Sequence, residues 1–319
     1  SVIAVCGGVH QTIHTNALLE TEMIDGFFVG ESEFSFIEFL KKIEKGESFK
    51  ETDNFAYVKN GVVVRNKLKA LIENLDLLPS PDKEVYPYEK TVTDLGYAPF
   101  FFARGCPFVC TYCSNHALAR LYGRKRNYPR FRSPETCIRE IEEVMEKYGK
   151  LIEFVWIMDD IFGLNNKWRE EFCEKYKSRI KKKFMILIRV EMATDSLFDM
   201  LKDAGCFKVF FGVESGNEKV RGEIMGRRMP NDEIINAFDL CRQRGLETLA
   251  VNIIGMPGES EEEILDTVKL NRKLRPTASG VNIFYPYRGT ELGDKCFKEG
   301  LVDKERYLSF SNERRETVL

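Results

Sequence analysis

An α/β fold is predicted, on three observations. From Ala98 onward, strand-like apolar runs and helix-like periodic runs alternate six times, as in a parallel sheet wrapped by helices. Before Ala98, a shorter succession of strand, glycine turn, strand, glycine turn and helix reads as half of an open α/β sheet. The 319 residues are enough for one large α/β barrel with a smaller appended unit.

Composition narrows the class further. A formal charge of −2 gives no global reason to expect a polyanionic partner, so nucleic acid is not expected. Hydrophobic residues make up 43% of the chain, which supports a sizeable core. No apolar run approaches the roughly 20 residues of a membrane helix, and no secretory pattern is recognisable. Nine cysteines suit a reducing compartment better than a disulfide framework, and a cytoplasmic location is expected. The chain opens at Ser1 in mid-strand and stops at Leu319 without a closing element, as a fragment of a longer protein would.

In the first segment, Val2–Cys6 has a buried-strand pattern and runs into Gly7-Gly8-Val9-His10. Gly26–Val29 is a second short strand, ending in Gly30-Glu31, and Phe34–Lys45 carries helix-spaced apolar residues. Sheets of this kind bind ligands at the carboxyl ends of their strands, where Gly7, Gly8 and Gly30 permit close approach. The same residues equally suit plain turns. Asn54–Arg65 reads as a hairpin turning at Asn60-Gly61. Pro79, Pro81 and Pro87 stiffen a linker, placing a domain boundary near Tyr88, with domains over 1–88 and 89–319.

In the second segment, the expected strands are Phe100–Ala103, Glu153–Met158, Phe184–Val190, Lys208–Gly212, Thr248–Ile254 and Gly280–Phe284. Helices are expected over Pro134–Tyr148, Trp168–Lys181, Asp195–Ala204, Asp232–Arg244 and Glu261–Leu274. Ser133-Pro134 and Thr194 suit helix starts, and Gly149, Gly205 and Gly245 suit helix stops.

The loop leaving the first of these strands carries Cys106, Cys110 and Cys113 in C-x3-C-x2-C spacing, with Tyr112 before the third. Three thiolates hold a cubane iron–sulfur cluster while leaving one iron open. Buried thiols, or a zinc knuckle completed by His116, are the alternatives; no second paired knuckle is present to supply four ligands. Strand ends carry further polar residues: Asp159 and Asp160, Arg189 and Glu191, Gly212-Val213-Glu214-Ser215-Gly216, Gly255-Met256-Pro257-Gly258 and Tyr285–Thr290. The aspartates also suit a helix cap, the Arg189–Glu191 pair a local salt bridge, and the tyrosines core packing. Arg120–Arg132 is basic with interleaved aromatics; it suits a phosphate-bearing ligand or, more simply, a solvated loop. Cys137, Cys173, Cys206, Cys241 and Cys296 fall singly and read as buried thiols.

The cysteine motif, the strand-end pattern and the count of six units closely resemble the radical S-adenosylmethionine (SAM) superfamily over about Ala98 to Leu292. Gly7-Gly8-x-His10, the Gly30-Glu31 turn and Asp76–Asp82 resemble the second half of the cobalamin-binding domain that precedes the barrel in one branch of it. The resemblance implies a partial (β/α)6 TIM-like barrel after part of a Rossmann-like domain. It implies a 4Fe–4S cluster on Cys106, Cys110 and Cys113, SAM chelated at the open iron, and cobalamin in the full-length protein.

By the same resemblance, Tyr112 belongs to the cluster motif. Asp159 and Asp160 would hold the methionyl ammonium, Arg189 and Glu191 the carboxylate or ribose, Glu214 and Ser215 the sulfonium side, and Gly255 and Pro257 the adenine. Gly7, Gly8, His10 and Gly30 would meet cobalamin, although His10 is not placed to ligate cobalt from below. The implied activity is reductive SAM cleavage with methyl transfer to an unactivated carbon or phosphorus. A non-methylating rearrangement or cyclisation, or an iron–sulfur electron carrier, are the alternatives. A small-molecule, lipid or peptide substrate and a flavodoxin or ferredoxin donor would be the partners.

Overall fold

A computed structural model describes residues 2–21, 23–123, 129–309 and 316–319. In chain order the elements are β1 (Val5–Cys6), α1 (Val9–Ile13), β2 (Gly26–Phe28), α2 (Glu33–Glu44), β3 (Phe55–Lys59) and β4 (Val62–Arg65). Next come α3 (Tyr88–Leu95), β5 (Tyr97–Phe100), β6 (Ala103–Arg104), α4 (Ser114–Leu121), β7 (Arg130–Phe131) and α5 (Pro134–Tyr148). The repeating region continues through β8 (Phe154–Ile157), α6 (Asn166–Arg179), β9 (Lys183–Ile188), α7 (Asp195–Asp203), β10 (Cys206–Glu214) and α8 (Asn231–Gln243). It ends with β11 (Glu247–Ile254), α9 (Glu261–Leu274), β12 (Ala278–Ile283), α10 (Glu291–Lys298) and α11 (Lys304–Ser309).

The chain divides into two compact units. The first comprises Ser1–Glu73, Pro107–Tyr128 and Pro286–Gly300; the second comprises Asn74–Cys106, Pro129–Tyr285 and Leu301–Leu319. The proline linker and α3 belong to the second unit.

In the first unit a four-stranded sheet runs β1-β2-β3-β4. β1 and β2 are parallel, and the two pairs that follow are antiparallel. The expected hairpin turns at Asn60 and Gly61, both at positive φ (52° and 73°), the geometry a two-residue hairpin loop requires. Phe28, Phe39 and Phe55 form a small aromatic core between sheet and α2.

The second unit is the partial barrel. Its curled six-stranded parallel sheet runs β12-β11-β10-β9-β8-β5, so each strand lies beside its neighbour in the repeat. Alternate strand residues, among them Val155, Ile157, Ile186, Ile188, Val209 and Phe211, are fully buried in the large core. Period-two alternation sends them to one face. Ile138 and Ile141 of α5, Phe172 of α6, Phe198 of α7, and Phe238 and Cys241 of α8 join the same core.

Caps fix the helix ends as expected. The Ser133 hydroxyl accepts the Thr136 N–H at the start of α5, and Thr194 accepts from Leu197 at the start of α7. Pro99 lies in β5, an edge strand, where a missing backbone donor is tolerated.

Candidate functional site

The carboxyl ends of the parallel strands in the second unit gather most of the polar residues singled out in the sequence. β5 pairs with β8 only as far as Phe100, whose carbonyl accepts the Met158 N–H at 2.8 Å. Beyond that point the chain peels away to pair as β6 with β7, which orphans the N–H groups of Phe102 and Ala103. Asp159 supplies their acceptor: its Oδ1 lies 2.6 Å from the Phe102 nitrogen and 2.9 Å from that of Ala103. The residue is 2% exposed, and its Oδ2 is buried with no hydrogen-bond partner among the described residues. Burial pushes this carboxyl up to about 7, against the opposing pull of the two N–H donors. Asp160, next in sequence, is exposed.

At the end of β9, the buried Arg189 guanidinium donates to the Glu191 carboxylate through Nε at 3.1 Å. Burial pushes the Glu191 carboxyl up, but the hydrogen bond and charge of Arg189 more than offset this and leave it below the usual range.

The G-x-E-S-G stretch closes β10 with a register irregularity between Gly212 and Glu214. Glu214 adopts φ 66°, a left-handed conformation costly for any residue with a Cβ. Its carboxylate folds back over Gly212, where a Cβ would meet Oε1 at 2.4 Å. A Cβ on Gly216 would meet the Asp266 carbonyl of α9 at 2.2 Å. Gly216 is thus required by close approach to backbone, and Gly212 leaves room for the folded-back Glu214 carboxylate. Ser215 is fully buried, and its hydroxyl accepts the Asn217 N–H at 3.2 Å, a bond that caps the turn from within.

Arg227 and Arg221 support this turn, and neither stands out in the sequence. Arg221, fully buried within a single π-helical turn (Val220–Ile224), donates to the Met229 carbonyl, the Ser215 carbonyl and Asn231 Oδ1. After β11, Gly255 and Gly258 take positive φ (75° and 80°), and Glu259 gathers the turn: its Oε2 accepts the N–H groups of Gly255 (2.7 Å) and Met256 (3.1 Å). Burial raises the Glu259 carboxyl. Pro257 lies half-buried in that turn.

In the first unit, the glycine turns and the second part of the cysteine loop form one body. Cys113 is the N-cap residue of α4, and its N–H reaches the Cys110 carbonyl at 3.2 Å. Cys110 is buried, while Tyr112 and Cys113 are half-buried; in the second unit, Cys106 is half-buried two residues beyond β6. Tyr122, just after α4, places its hydroxyl oxygen 2.7 Å from the Glu31 nitrogen, whose N–H it accepts. A Cβ on Gly30 (φ 73°) would lie 2.0 Å from that oxygen, so this turn admits only glycine. The Thr111 carbonyl accepts the Leu292 N–H at 3.0 Å, and His116, buried, lies 3.8 Å from Glu291.

A cavity of about 410 Å³ opens in the same unit. Its lining includes Thr12, Thr15, Asn54, Arg65 and Asn66 from the sheet side and Arg120 from α4. Gly8 takes φ 116°, and Gly7 has ordinary space around it. His10 is exposed on α1, its ring 5.7 Å from that of His14, which burial holds below its usual pKa.

Of the basic stretch, Arg124, Lys125, Arg126 and Tyr128 lie outside the described residues. Arg132 donates to Glu140 and to the Leu78 and Pro79 carbonyls, and Arg120 donates to the Gly289 carbonyl. The five single cysteines are buried, and burial pushes the thiols of Cys173 and Cys241 up to about 12. Among the described residues no helix is long and apolar enough to cross a membrane.

Comparison with known proteins gives this arrangement its family. A sequence profile of the radical SAM superfamily matches residues 100–270. An uncharacterized methyltransferase of Pyrococcus horikoshii is 30% identical over 306 residues, covering 95% of this chain and 64% of that protein. The anaerobic magnesium-protoporphyrin IX monomethyl ester cyclase of Rubrivivax gelatinosus is 26% identical, covering 96% of this chain and 55% of that protein. The radical S-adenosylmethionine methyltransferase TsrM from Kitasatospora setae, solved with cobalamin and a 4Fe–4S cluster bound, shares the fold with a TM-score of 0.75. It is 18% identical over 92% of this chain and 59% of that one. The cobalamin-dependent radical enzyme OxsB, solved with aqua-cobalamin, gives 0.71 at 18% identity over 94% of this chain and 43% of that one.

With more than half of its length matched, the chain belongs to the radical SAM superfamily. It spans less than two thirds of the two curated relatives named above. The family implies a 4Fe–4S cluster and SAM as cofactors. The donor set fits: three soft thiols on one eight-residue loop suit iron–sulfur ligation.

Proposed function

We propose that this chain is the core of an enzyme that cleaves SAM reductively at a 4Fe–4S cluster and, with cobalamin as carrier, methylates an unactivated carbon or phosphorus. The observation that best supports this is the bond between Tyr122 and the Gly30-Glu31 turn. It joins the helix that follows Cys113 to the half sheet with cobalamin-like glycine turns, on one folded body. The methyltransferase name of the 30% identical relative points the same way.

Bound together, the cluster and SAM supply one-electron chemistry, and cobalamin supplies a methyl carrier. The chain's own share is to bind, orient and exclude water. Cys106, Cys110 and Cys113 would hold the cluster, with Tyr112 in the same loop. Asp160, Arg189 and Glu191 present charge for the amino-acid end and ribose of SAM, and Glu214 for its sulfonium side, since a guanidinium fork matches a carboxylate and a carboxylate a cationic centre. The Gly255–Gly258 turn offers backbone and the Pro257 ring to a flat base. Gly7, Gly8, His10 and Gly30 of the first unit are the residues for cobalamin. A small-molecule, lipid or peptide substrate and a flavodoxin or ferredoxin donor complete the reading.

SAM labelled in its methyl group tests it, supplied anaerobically with reductant and cobalamin to the cluster-loaded protein. Label on cobalamin, and then on an added acceptor, is the expected result. Deoxyadenosine formed with no label on cobalamin would instead favour a non-methylating rearrangement or cyclisation. That second reading draws on the cyclase that is 26% identical across 96% of this chain.

A further inference from the structure

The two adjacent aspartates after β8 stand in opposite surroundings. Asp159 is 2% exposed and spends one oxygen on two backbone N–H groups; Asp160 is exposed. The N–H groups in question belong to Phe102 and Ala103, where the chain leaves the barrel sheet and turns toward Cys106. Among the described residues, the short β6–β7 pair, Ala103 with Phe131 and Arg104 with Arg130, and the Arg132 N–H on the Phe102 carbonyl at 2.9 Å otherwise tie this stretch to its neighbour, and so short a ladder is a weak anchor. The Asp159 contacts close the gap between the last β5–β8 bond and that ladder.

We infer that the pair divides its work: Asp159 is a positioning residue that fixes the root of the cysteine loop through the Phe102 and Ala103 backbone, and Asp160 is the carboxylate left to meet a ligand. The second half rests on the functional reading above; the first half does not. The Asp159 Oδ1 can accept both N–H groups whether or not Oδ2 carries a proton, so the clamp needs an oxygen at that point rather than a charge. Asparagine can supply that oxygen and alanine cannot.

The test compares Asp159→Asn, Asp159→Ala and Asp160→Asn in three measurements. The first is hydrogen exchange at the amides of residues 102–104, with β10 amides as the folding control. The second is iron and sulfide per chain after reconstitution, with the EPR signal of the reduced cluster. The third is SAM affinity by calorimetry. Asp159→Ala should exchange at least tenfold faster at 102–104 and lose at least half its iron, with β10 protection unchanged. Asp159→Asn should stay within threefold of wild type in both exchange and iron content. Asp160→Asn should match wild type there and bind SAM about tenfold more weakly.

Unchanged exchange and iron in Asp159→Ala would overturn the clamp. Should that variant fail to fold, Asp159→Asn still decides: wild-type exchange with lost cluster or weakened SAM binding would make Asp159 a ligand contact and overturn the division. Unaltered SAM affinity in Asp160→Asn would overturn its half. A wild-type protein that takes up a cluster yet binds no SAM would overturn the functional reading and the Asp160 half with it, while the exchange measurement would still decide the clamp.

Discussion

Glu214 and Arg227 are joined across the irregular end of β10. The Arg227 Nη1 lies 3.4 Å from Glu214 Oε1, and its Nη2 donates to the Gly212 carbonyl at 2.6 Å. Both residues are nearly buried, at 8% and 7% exposure, so the carboxylate is held in one direction by a partner that is itself fixed.

Loss of that ion pair should let the Glu214 carboxylate, on a backbone strained at φ 66°, turn from its present direction. Arg227→Ala should weaken SAM binding at least tenfold, equivalent to about 1.4 kcal/mol. Arg227→Lys should recover only part of this, because an ammonium cannot serve the carbonyl and the carboxylate in one plane. Calorimetric titration with SAM reads both.

Arg221 contributes chiefly to stability. Its guanidinium is fully buried and satisfies acceptors on the Ser215 turn, Met229 and Asn231. Arg221→Ala would leave those acceptors buried and bare, at a cost of about 3 kcal/mol or more. Denaturant unfolding should show a lower midpoint with little change in slope.

The first unit offers a steric test. Gly30→Ala places a Cβ 2.0 Å from the Tyr122 oxygen at a backbone φ of 73° and should cost about 2 kcal/mol or more. Tyr122→Phe removes the acceptor of the Glu31 N–H and should cost about 1 kcal/mol. Adding Tyr122→Phe to Gly30→Ala should recover part of the loss. Simple additivity in unfolding free energies would show that the two residues do not interact.

Asp159 predicts a pH dependence with a definite sign. Its folded pKa, about 7, lies above the ordinary aspartate value near 4, so between those values the folded chain binds a proton that the unfolded chain has lost. The stability this contributes is full below about pH 4, declines by up to about 1.4 kcal/mol per pH unit through the window, and is gone above about pH 7. Asp159→Asn lacks the titration. Its stability relative to wild type should therefore improve as pH rises from 4 to 7, and a flat difference in unfolding free energy would refute the assignment.

Much of this architecture is legible in the sequence because apolar periodicity carries it. Glu261–Leu274 and Pro134–Tyr148 are helices at the expected bounds, and five of the expected barrel strands fall within two residues of those observed. The first strand instead runs Tyr97–Phe100, earlier than Phe100–Ala103, because pairing with β8 ends at Phe100 and the apolar residues that follow serve the exit to β6. The cysteine loop is legible from ligand spacing alone. The surroundings of the strand-end residues are not: Asp159 and Asp160 are the same residue type side by side, and only the peeling of a distant strand buries one of them. Nor does local pattern reveal that residues 107–128 and 286–300 fold with the N-terminal sheet, since bonds such as Tyr122 to Glu31 span 91 positions.

The three-cysteine loop is the proposed seat of SAM chemistry. The most direct measurement is 5′-deoxyadenosine, quantified by mass spectrometry after the anaerobically reconstituted, cobalamin-supplied protein is reduced and given SAM. A Cys106→Ala/Cys110→Ala/Cys113→Ala protein serves as control. Deoxyadenosine from the wild type and none from the control is the predicted result. A wild-type protein with a verified cluster that forms none would contradict that chemistry and favour an iron–sulfur electron carrier.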